Sequence, residues 1–208
     1  MAYAQQKTPS SDRDADKSPS ESVKVLFDKG EKKYMQGDYN EAIKYFTGVI
    51  AIDQKNFEAW NYLGGSKFHT GDYDSAIANY TKAHELNPNA YFTLQNRGFA
   101  KHYKNDLNGA VEDYTLSLKI KKDYFKSLFY RGLAYLELGN YKKAMDDFLL
   151  TLILEPQNYK VWYLLGLAKY KSGDEKGALS DYQQSKRISN LDLPSYKTEF
   201  NPFAIRRK

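Results

Sequence analysis

The sequence predicts an all-α fold, a solenoid of five helix-turn-helix repeats stacked in one line. Two sets of small residues recur at one fixed interval of 34 residues. They are five glycines and five alanines: Gly30, Gly64, Gly98, Gly132, Gly166, and Ala42, Ala76, Ala110, Ala144, Ala178. A self-similar interval of this length is typical of one supersecondary unit that is copied and stacked. The fold is therefore predicted one unit at a time.

The repeats need no insertion or deletion when the periodic glycine is numbered position 8. They then cover residues 23–56, 57–90, 91–124, 125–158 and 159–192. Position 24 is always aromatic, and position 30 is always Ile or Leu. Apolar residues recur at spacings of three and four in both halves of the unit, which indicates two amphipathic helices, A and B. We expect five helix hairpins.

The turn between helices A and B is marked at positions 15 and 16. Position 15 is Gly in four repeats and Asn105 in the third, and Asn tolerates the left-handed conformation that ends a helix. Position 16 is Asp or Asn throughout, which are good N-caps. Glu41 follows Asp38 by three residues, as in a capping box. Helix B is predicted to start directly after position 16.

A glycine inside every A helix needs a compensating cause, because mid-helix Gly costs about 1 kcal/mol relative to Ala. Position 8 should face the small Ala at position 20 across the hairpin. We expect this pair to let the helices approach closely, with the aromatic residue of position 24 at the flank.

Three sets of residues resemble the tetratricopeptide repeat. They are Trp-x-x-Leu-Gly at Trp60 and Trp162, Ala-x-x-x-Phe at Ala42 and Ala144, and Pro at position 32 in Pro88 and Pro156. The resemblance covers residues 23–192 and implies a right-handed superhelix whose A helices line the concave side. Position 32 of the third repeat is Lys122 instead of Pro, so helix B of that repeat is expected to run a turn further.

The resemblance also implies a protein-protein interaction scaffold that binds a peptide or protein segment in the concave groove. Positions 2, 5, 9, 12 and 13 would face this groove, and many of them are aromatic. The predicted groove residues are Phe27, Tyr34, Asn61, Phe68, His69, Phe92, Gln95, Phe99, Tyr103, Lys126, Phe129, Lys160, Tyr163 and Tyr170. Aromatic walls with a few polar anchors suit a peptide-binding cleft. A second interpretation stays open, in which several of these rings pack only against neighbouring A helices.

The sequence predicts neither an enzyme nor a cofactor. It has no nucleophile with a matching base and no phosphate-binding loop. It has no Cys, which excludes disulfides and thiolate metal sites. His69 and His102 lie at groove positions of adjacent repeats, but two histidines without a third ligand predict no metal site.

Charge and hydropathy exclude two further classes of partner. The net charge is +5, but the basic residues are spread along the chain, whereas nucleic-acid binding favours Lys and Arg gathered on one face. No run of about 18 apolar residues exists, so no membrane span is expected. We predict a protein partner and no nucleic acid.

Two Arg–Asp pairs are predicted inside the repeats. Arg97 and Arg131 both occupy position 7, and the same repeats carry Asp113 and Asp147 at position 23. These positions lie level in an antiparallel hairpin, so we expect a bridge in each repeat, worth about 0–1 kcal/mol if exposed.

The two ends of the chain differ from the array. Residues 1–18 are too polar to bury a core and are predicted to be disordered. Ser18, Pro19 and Glu21 then form a helix-start motif, so the array of 19–190 begins at Pro19. Ala2-Tyr3-Ala4 has the small residues of a signal-peptide cleavage site without the apolar stretch. The compartment therefore stays open: cytoplasmic by default, or exported if this motif ends a shortened leader.

The C-terminal tail, residues 191–208, is predicted to be extended and basic, with aromatic side chains at Tyr196, Phe200 and Phe203. The polar outer face of the last helix B suits a terminal repeat. The tail could dock on the convex side or in the groove as an internal ligand, or stay loose. A homo-oligomer formed through the repeat ends or this tail remains the alternative to peptide binding.

Overall fold

The computed structural model describes residues 18–190, and these residues form ten α-helices. In chain order they are α1 (Pro19–Met35), α2 (Tyr39–Ile52), α3 (Phe57–His69), α4 (Tyr73–Leu86), α5 (Tyr91–Tyr103), α6 (Leu107–Ile120), α7 (Phe125–Glu137), α8 (Tyr141–Leu154), α9 (Tyr159–Lys171) and α10 (Glu175–Ser189). The predictions for residues 1–17, the Ala2-Tyr3-Ala4 motif and the 191–208 tail lie outside the described residues.

The helices pair as five hairpins, and the pairs stack in sequence order. Each odd-numbered A helix packs on the B helix that follows it, and each B helix packs on the next A helix. Successive A helices also contact one another, whereas successive B helices of the described array do not. The A helices therefore lie on the inner, more tightly spaced side of the stack, and the B helices lie on the outer side. The predicted all-α solenoid is confirmed.

Most of the predicted signals at helix boundaries act as expected, but the Asn140 side chain makes no capping hydrogen bond to α8. The Ser18 side chain accepts a hydrogen bond from the Glu21 backbone N–H, and α1 begins at Pro19. All five turn residues at position 15 have positive φ, and Asn105 adopts φ 63° where the other repeats carry glycine. Asp38 caps α2 by accepting from the Glu41 N–H, although the Glu41 side chain pairs with Lys44.

Helix B of the third repeat is not longer than its counterparts, so the expected extra turn at Lys122 is wrong. Helix α6 ends at Ile120, and Lys121 is already extended, with φ −130° and ψ 96°. The buried hydroxyls of Ser117 and Ser127 bond to each other at 2.8 Å and join α6 to the start of α7. Packing of the next A helix ends α6 without a proline.

The glycine of each A helix makes room for an aromatic ring. A Cβ added at Gly132 would lie 2.8 Å from the ring of Phe148, and one added at Gly64 would lie 2.8 Å from the ring of Tyr80. The residue directly against the glycine in the first four repeats is thus the aromatic one of position 24. At Gly166 the nearest atom is the carbonyl oxygen of Ala178, at 3.0 Å. The expected facing of Gly by the position 20 Ala is therefore wrong in four repeats, where the glycine instead leaves space for the ring of position 24.

Both predicted Arg–Asp bridges form, and both carboxylates are buried. Arg97 donates to the two carboxylate oxygens of Asp113 through Nε at 2.9 Å and Nη2 at 2.6 Å. Its Nη1 also donates to the Thr81 hydroxyl of the preceding repeat, at 3.2 Å. The bridges therefore fasten successive repeats as well as the two helices of one hairpin.

Candidate functional site

The inner face of the stack contains an elongated cavity of about 710 Å³. It is formed by A helices from all five repeats, from Tyr34 in the first to Lys160 in the last. Because the A helices run side by side, residues at equivalent positions form rows across the repeats. The cavity lies along these rows and is open to solvent.

Ten predicted groove residues line this cavity: Tyr34, Asn61, Phe68, His69, Phe92, Gln95, Phe99, Lys126, Phe129 and Lys160. The stack brings these side chains together from five separate segments of the chain.

Four predicted groove residues do not line the cavity. Phe27 packs edge-on against Phe46 and Tyr62, with ring centroids 5.6 Å apart in both pairs. Tyr103 packs against Phe68 and Phe99, with ring centroids 5.0 and 4.9 Å apart. The other two residues lie in α9 of the fifth repeat. Tyr163 is buried in the core cluster of the last two repeats, and Tyr170 lies half-buried near the end of α9.

Sequence reasoning missed position 6 of the repeat. Tyr62, Asn96 and Tyr130 all occupy it, and all three line the cavity. Position 6 follows position 2 by four residues and precedes position 9 by three, so it belongs to the same helical face. That spacing was the signal that could have identified it.

Aromatic side chains run almost unbroken along the cavity. Phe68 and Phe99 have ring centroids 5.1 Å apart, and Phe99 and Tyr130 follow at 4.7 Å. Tyr130 then meets Phe129 at 5.1 Å. The resulting row of rings crosses repeats two to four. Rings from neighbouring helices therefore line the same cavity.

Amide groups are fixed between the rings. The Asn61 side-chain oxygen accepts hydrogen bonds from the Thr93 hydroxyl at 3.2 Å and from the Asn96 amide at 3.4 Å. The Gln95 side-chain oxygen accepts from the Tyr124 hydroxyl at 3.4 Å. These bonds hold the three amides in place at the cavity wall, where they offer both donors and acceptors to a polypeptide backbone.

The two ends of the cavity differ in charge. Lys126 and Lys160 lie at the end formed by the last two repeats. Glu58 lies at the opposite end, near Glu31, whose carboxylate accepts a hydrogen bond from the Tyr62 hydroxyl at 2.9 Å. Burial, together with this bond to Glu31, raises the pKa of Tyr62 to about 12, so its hydroxyl stays protonated.

The two inner-face histidines have protein partners. The His69 ring stacks on Tyr39, with centroids 4.2 Å apart and an interplanar angle of 8°. His102 Nε2 lies 3.0 Å from a Glu137 carboxylate oxygen. Among residues 18–190, no group of three His, Cys, Asp or Glu side chains is arranged to hold a metal ion.

Comparison with known proteins assigns the repeats to a family. Models of the tetratricopeptide repeat match residues 34–56, 57–90 and 125–158, in the same register as the 34-residue frame. The chain contains tetratricopeptide repeats. Its ten described helices correspond to five tetratricopeptide repeats. No curated protein sequence matches the chain significantly.

Solved structures of tetratricopeptide repeat proteins share the fold. The MamA 41-end structure from Desulfovibrio magneticus RS-1 is 18% identical, with a TM-score of 0.78, covering 85% of this chain and 100% of that one. A second MamA structure is 21% identical, with a TM-score of 0.75 and coverage of 85% and 98%. YrrB, titled a TPR protein with an unusual peptide-binding site, is 11% identical, with a TM-score of 0.71 and coverage of 85% and 94%.

The outer face of the tetratricopeptide repeat array carries a second surface feature. Several large apolar side chains of α6 and α8 are exposed: Leu116, Ile120, Leu149, Leu150, Ile153 and Leu154. Ile153 is 74% exposed, although α10 follows in the stack. We call these six residues the outer apolar patch. None of the helices between residues 18 and 190 has the length and apolar character needed to cross a membrane.

Proposed function

We infer that the protein is an interaction scaffold that binds an extended segment of another protein in the cavity of its A helices. The tetratricopeptide repeat fold is a protein-protein interaction scaffold. The observation that carries the finer proposal is the row of aromatic rings with amides held beside it, in one cavity that crosses all five repeats. A helical ligand, by contrast, would need a wide groove, in which one face of the helix carries the anchoring side chains.

The cavity chemistry favours a particular class of segment. Aromatic and aliphatic side chains would pack between the rings, which contribute contact area at little cost in rotamer entropy. The fixed amides of Asn61, Asn96 and Gln95 would bond the segment's backbone. An acidic side chain would pair with Lys126 and Lys160 at one end of the cavity. The proposed ligand is therefore an extended, apolar segment with an acidic residue.

A displayed library of random peptides, selected on the immobilised full chain, tests this function. We expect the selected peptides to combine aromatic and acidic residues. Their Kd should rise at least about tenfold, or about 1.4 kcal/mol, for the Lys126→Glu/Lys160→Glu variant. The matched control is Lys119→Glu/Lys142→Glu, which reverses two exposed charges on the outer helices.

Equal binding of the selected peptides to both double variants would contradict the proposal, because it would place them outside the cavity. A selection that yields no peptide above background would contradict it as well, provided that the immobilised chain keeps its helical circular dichroism.

Self-association is the second candidate function, and the outer apolar patch favours it. Exposed apolar side chains gathered on neighbouring repeats are typical of interaction surfaces. Analytical ultracentrifugation of the full chain and of Leu150→Lys/Ile153→Lys distinguishes the two. A dimer that dissociates in the variant would support self-association through this patch, and a monomer in both would exclude it.

A further inference from the structure

The described chain ends beside one mouth of the cavity. Helix α10 finishes at Ser189, and Asn190 is left-handed, with φ 52°. One turn earlier, the Ser185 hydroxyl donates to the Tyr159 carbonyl at 2.7 Å. Tyr159 is the neighbour of Lys160, which lines the cavity. Because one helical turn rises about 5.4 Å, the chain leaves α10 within roughly 10 Å of the cavity end at the fifth repeat.

The chain that follows is long enough to cross the cavity. Eighteen residues, 191–208, come after Asn190. Extended, they span at most about 60 Å. Five A helices at interaxial spacings of about 8–10 Å cover about 40 Å.

The charge order of the tail matches the charge order of the cavity. A tail that enters at the fifth repeat and runs toward the first carries Glu199 early and Arg206, Arg207 and Lys208 late. The cavity presents Lys160 and Lys126 first, and Glu58 at the far end. Tyr196, Phe200 and Phe203 fall between these charges, where the cavity is lined by aromatic rings.

We propose that residues 191–208 are an intramolecular ligand of the cavity, running antiparallel to the repeat order, from the fifth repeat toward the first. This inference rests on the proposed function only in taking the same cavity as a peptide-binding site. An external segment then competes with the tail for the cavity. A partner therefore binds only if its affinity is high enough to displace the tail. The outer apolar patch is the competing location for the tail.

Cross-linking of paired cysteines locates the tail. The chain has no Cys, so each introduced pair is the only pair present. The test pair is Ala204→Cys with Asn96→Cys in the cavity wall, and the matched control is Ala204→Cys with Leu116→Cys in the outer apolar patch. With a short bismaleimide at low protein concentration, we expect the cavity pair to cross-link within one molecule at least about tenfold faster.

Three outcomes would overturn the proposal. Faster cross-linking of the Leu116 pair would place the tail on the outer face. Equal rates would show that the tail is held at neither surface. A product of twice the monomer mass would show that the tail occupies the cavity of a second copy.

A second variant tests the aromatic contacts without any cross-link. In Tyr196→Ser/Phe200→Ser/Phe203→Ser, hydrogen exchange should become faster in α5, α7 and α9 and stay unchanged in α4, α6 and α8. Unchanged exchange in all helices would contradict the proposal.

The library selection separates this inference from the proposed function. In one outcome the cavity pair cross-links, but no peptide can be selected even on the tail variant. That outcome would keep the tail as the ligand of the cavity and exclude an external segment. In the other outcome the selected peptides depend on Lys126 and Lys160, but the tail cross-links to the outer apolar patch. That outcome would support the proposed function and exclude the tail as a ligand of the cavity.

Discussion

The Arg131 guanidinium and the Asp147 carboxylate form two parallel hydrogen bonds across one hairpin, at 2.8 and 2.7 Å. Arg131 also donates to the Thr115 hydroxyl of the preceding repeat, at 3.1 Å. The Asp147 side chain is only 4% exposed. This planar fork holds three helices in register, which a lysine could not do with one ammonium group.

Removing one partner of this pair should destabilise the array strongly. Arg131→Leu leaves the buried Asp147 carboxylate without its main partner, and we expect the free energy of unfolding to fall by about 3–5 kcal/mol. Arg131→Leu/Asp147→Leu removes both charges and should recover most of that loss. Chemical denaturation measures each value. A single variant within about 0.5 kcal/mol of the unaltered chain would contradict the prediction.

The glycine at the tightest helix contact should not accept a side chain. Alanine at Gly132 would place Cβ 2.8 Å from the buried Phe148 ring and 3.2 Å from Asp147 Cβ, so Gly132→Ala should cost about 1–3 kcal/mol despite its better helix propensity. The control is Gly48→Ala in α2, where the nearest side-chain atom, in Leu26, lies at 3.4 Å. This change should stabilise by up to about 1 kcal/mol. Thermal unfolding distinguishes the two signs.

The turn of the third repeat should tolerate glycine and reject a β-branched residue. Asn105 has φ 63°, a conformation that costs most residues about 1–2 kcal/mol. Asn105→Val should lower the free energy of unfolding by about that amount, whereas Asn105→Gly should leave it nearly unchanged. Equal stability of the two variants, measured by denaturant unfolding, would show that the turn relaxes to another conformation.

Acidification should weaken the array partly through His84. Burial lowers the pKa of His84, and the charge of Arg97 adds to this effect. The unfolded chain then binds a proton more readily than the folded one, so stability is lost as the pH falls below about 6.5, the ordinary pKa of histidine. We expect His84→Gln to lose less stability than the unaltered chain between pH 7.5 and 5.5. Parallel stability curves for the two chains would refute this role.

Much of the local structure could be predicted because each signal acts within a few residues. Asn105 in the turn, Ser18 at the first cap and the spacing of apolar residues all depend on backbone conformation near themselves. The Arg–Asp pairs were also predictable, since an antiparallel hairpin places positions 7 and 23 level. Their burial was not, because it depends on the preceding repeat that covers them.

The residues of the candidate site could also be predicted only in part from the sequence. The 34-residue frame identified ten of the cavity residues, because one helical face repeats in every A helix. It also predicted Tyr103 and Phe27, but these rings pack edge-on against Phe99 and Tyr62 and do not line the cavity. It missed Tyr62 and Tyr130, although position 6 lies on the same helical face as positions 2 and 9.

The sequence alone determined the number of repeats, their hairpin form and their family, because these follow from a period that every unit obeys by itself. The tertiary structure decided which rings line the cavity, where α6 ends and that Asp113 and Asp147 are buried. The physical reason is that exposure of a side chain is set by the helices of adjacent repeats, and no single unit contains its neighbours.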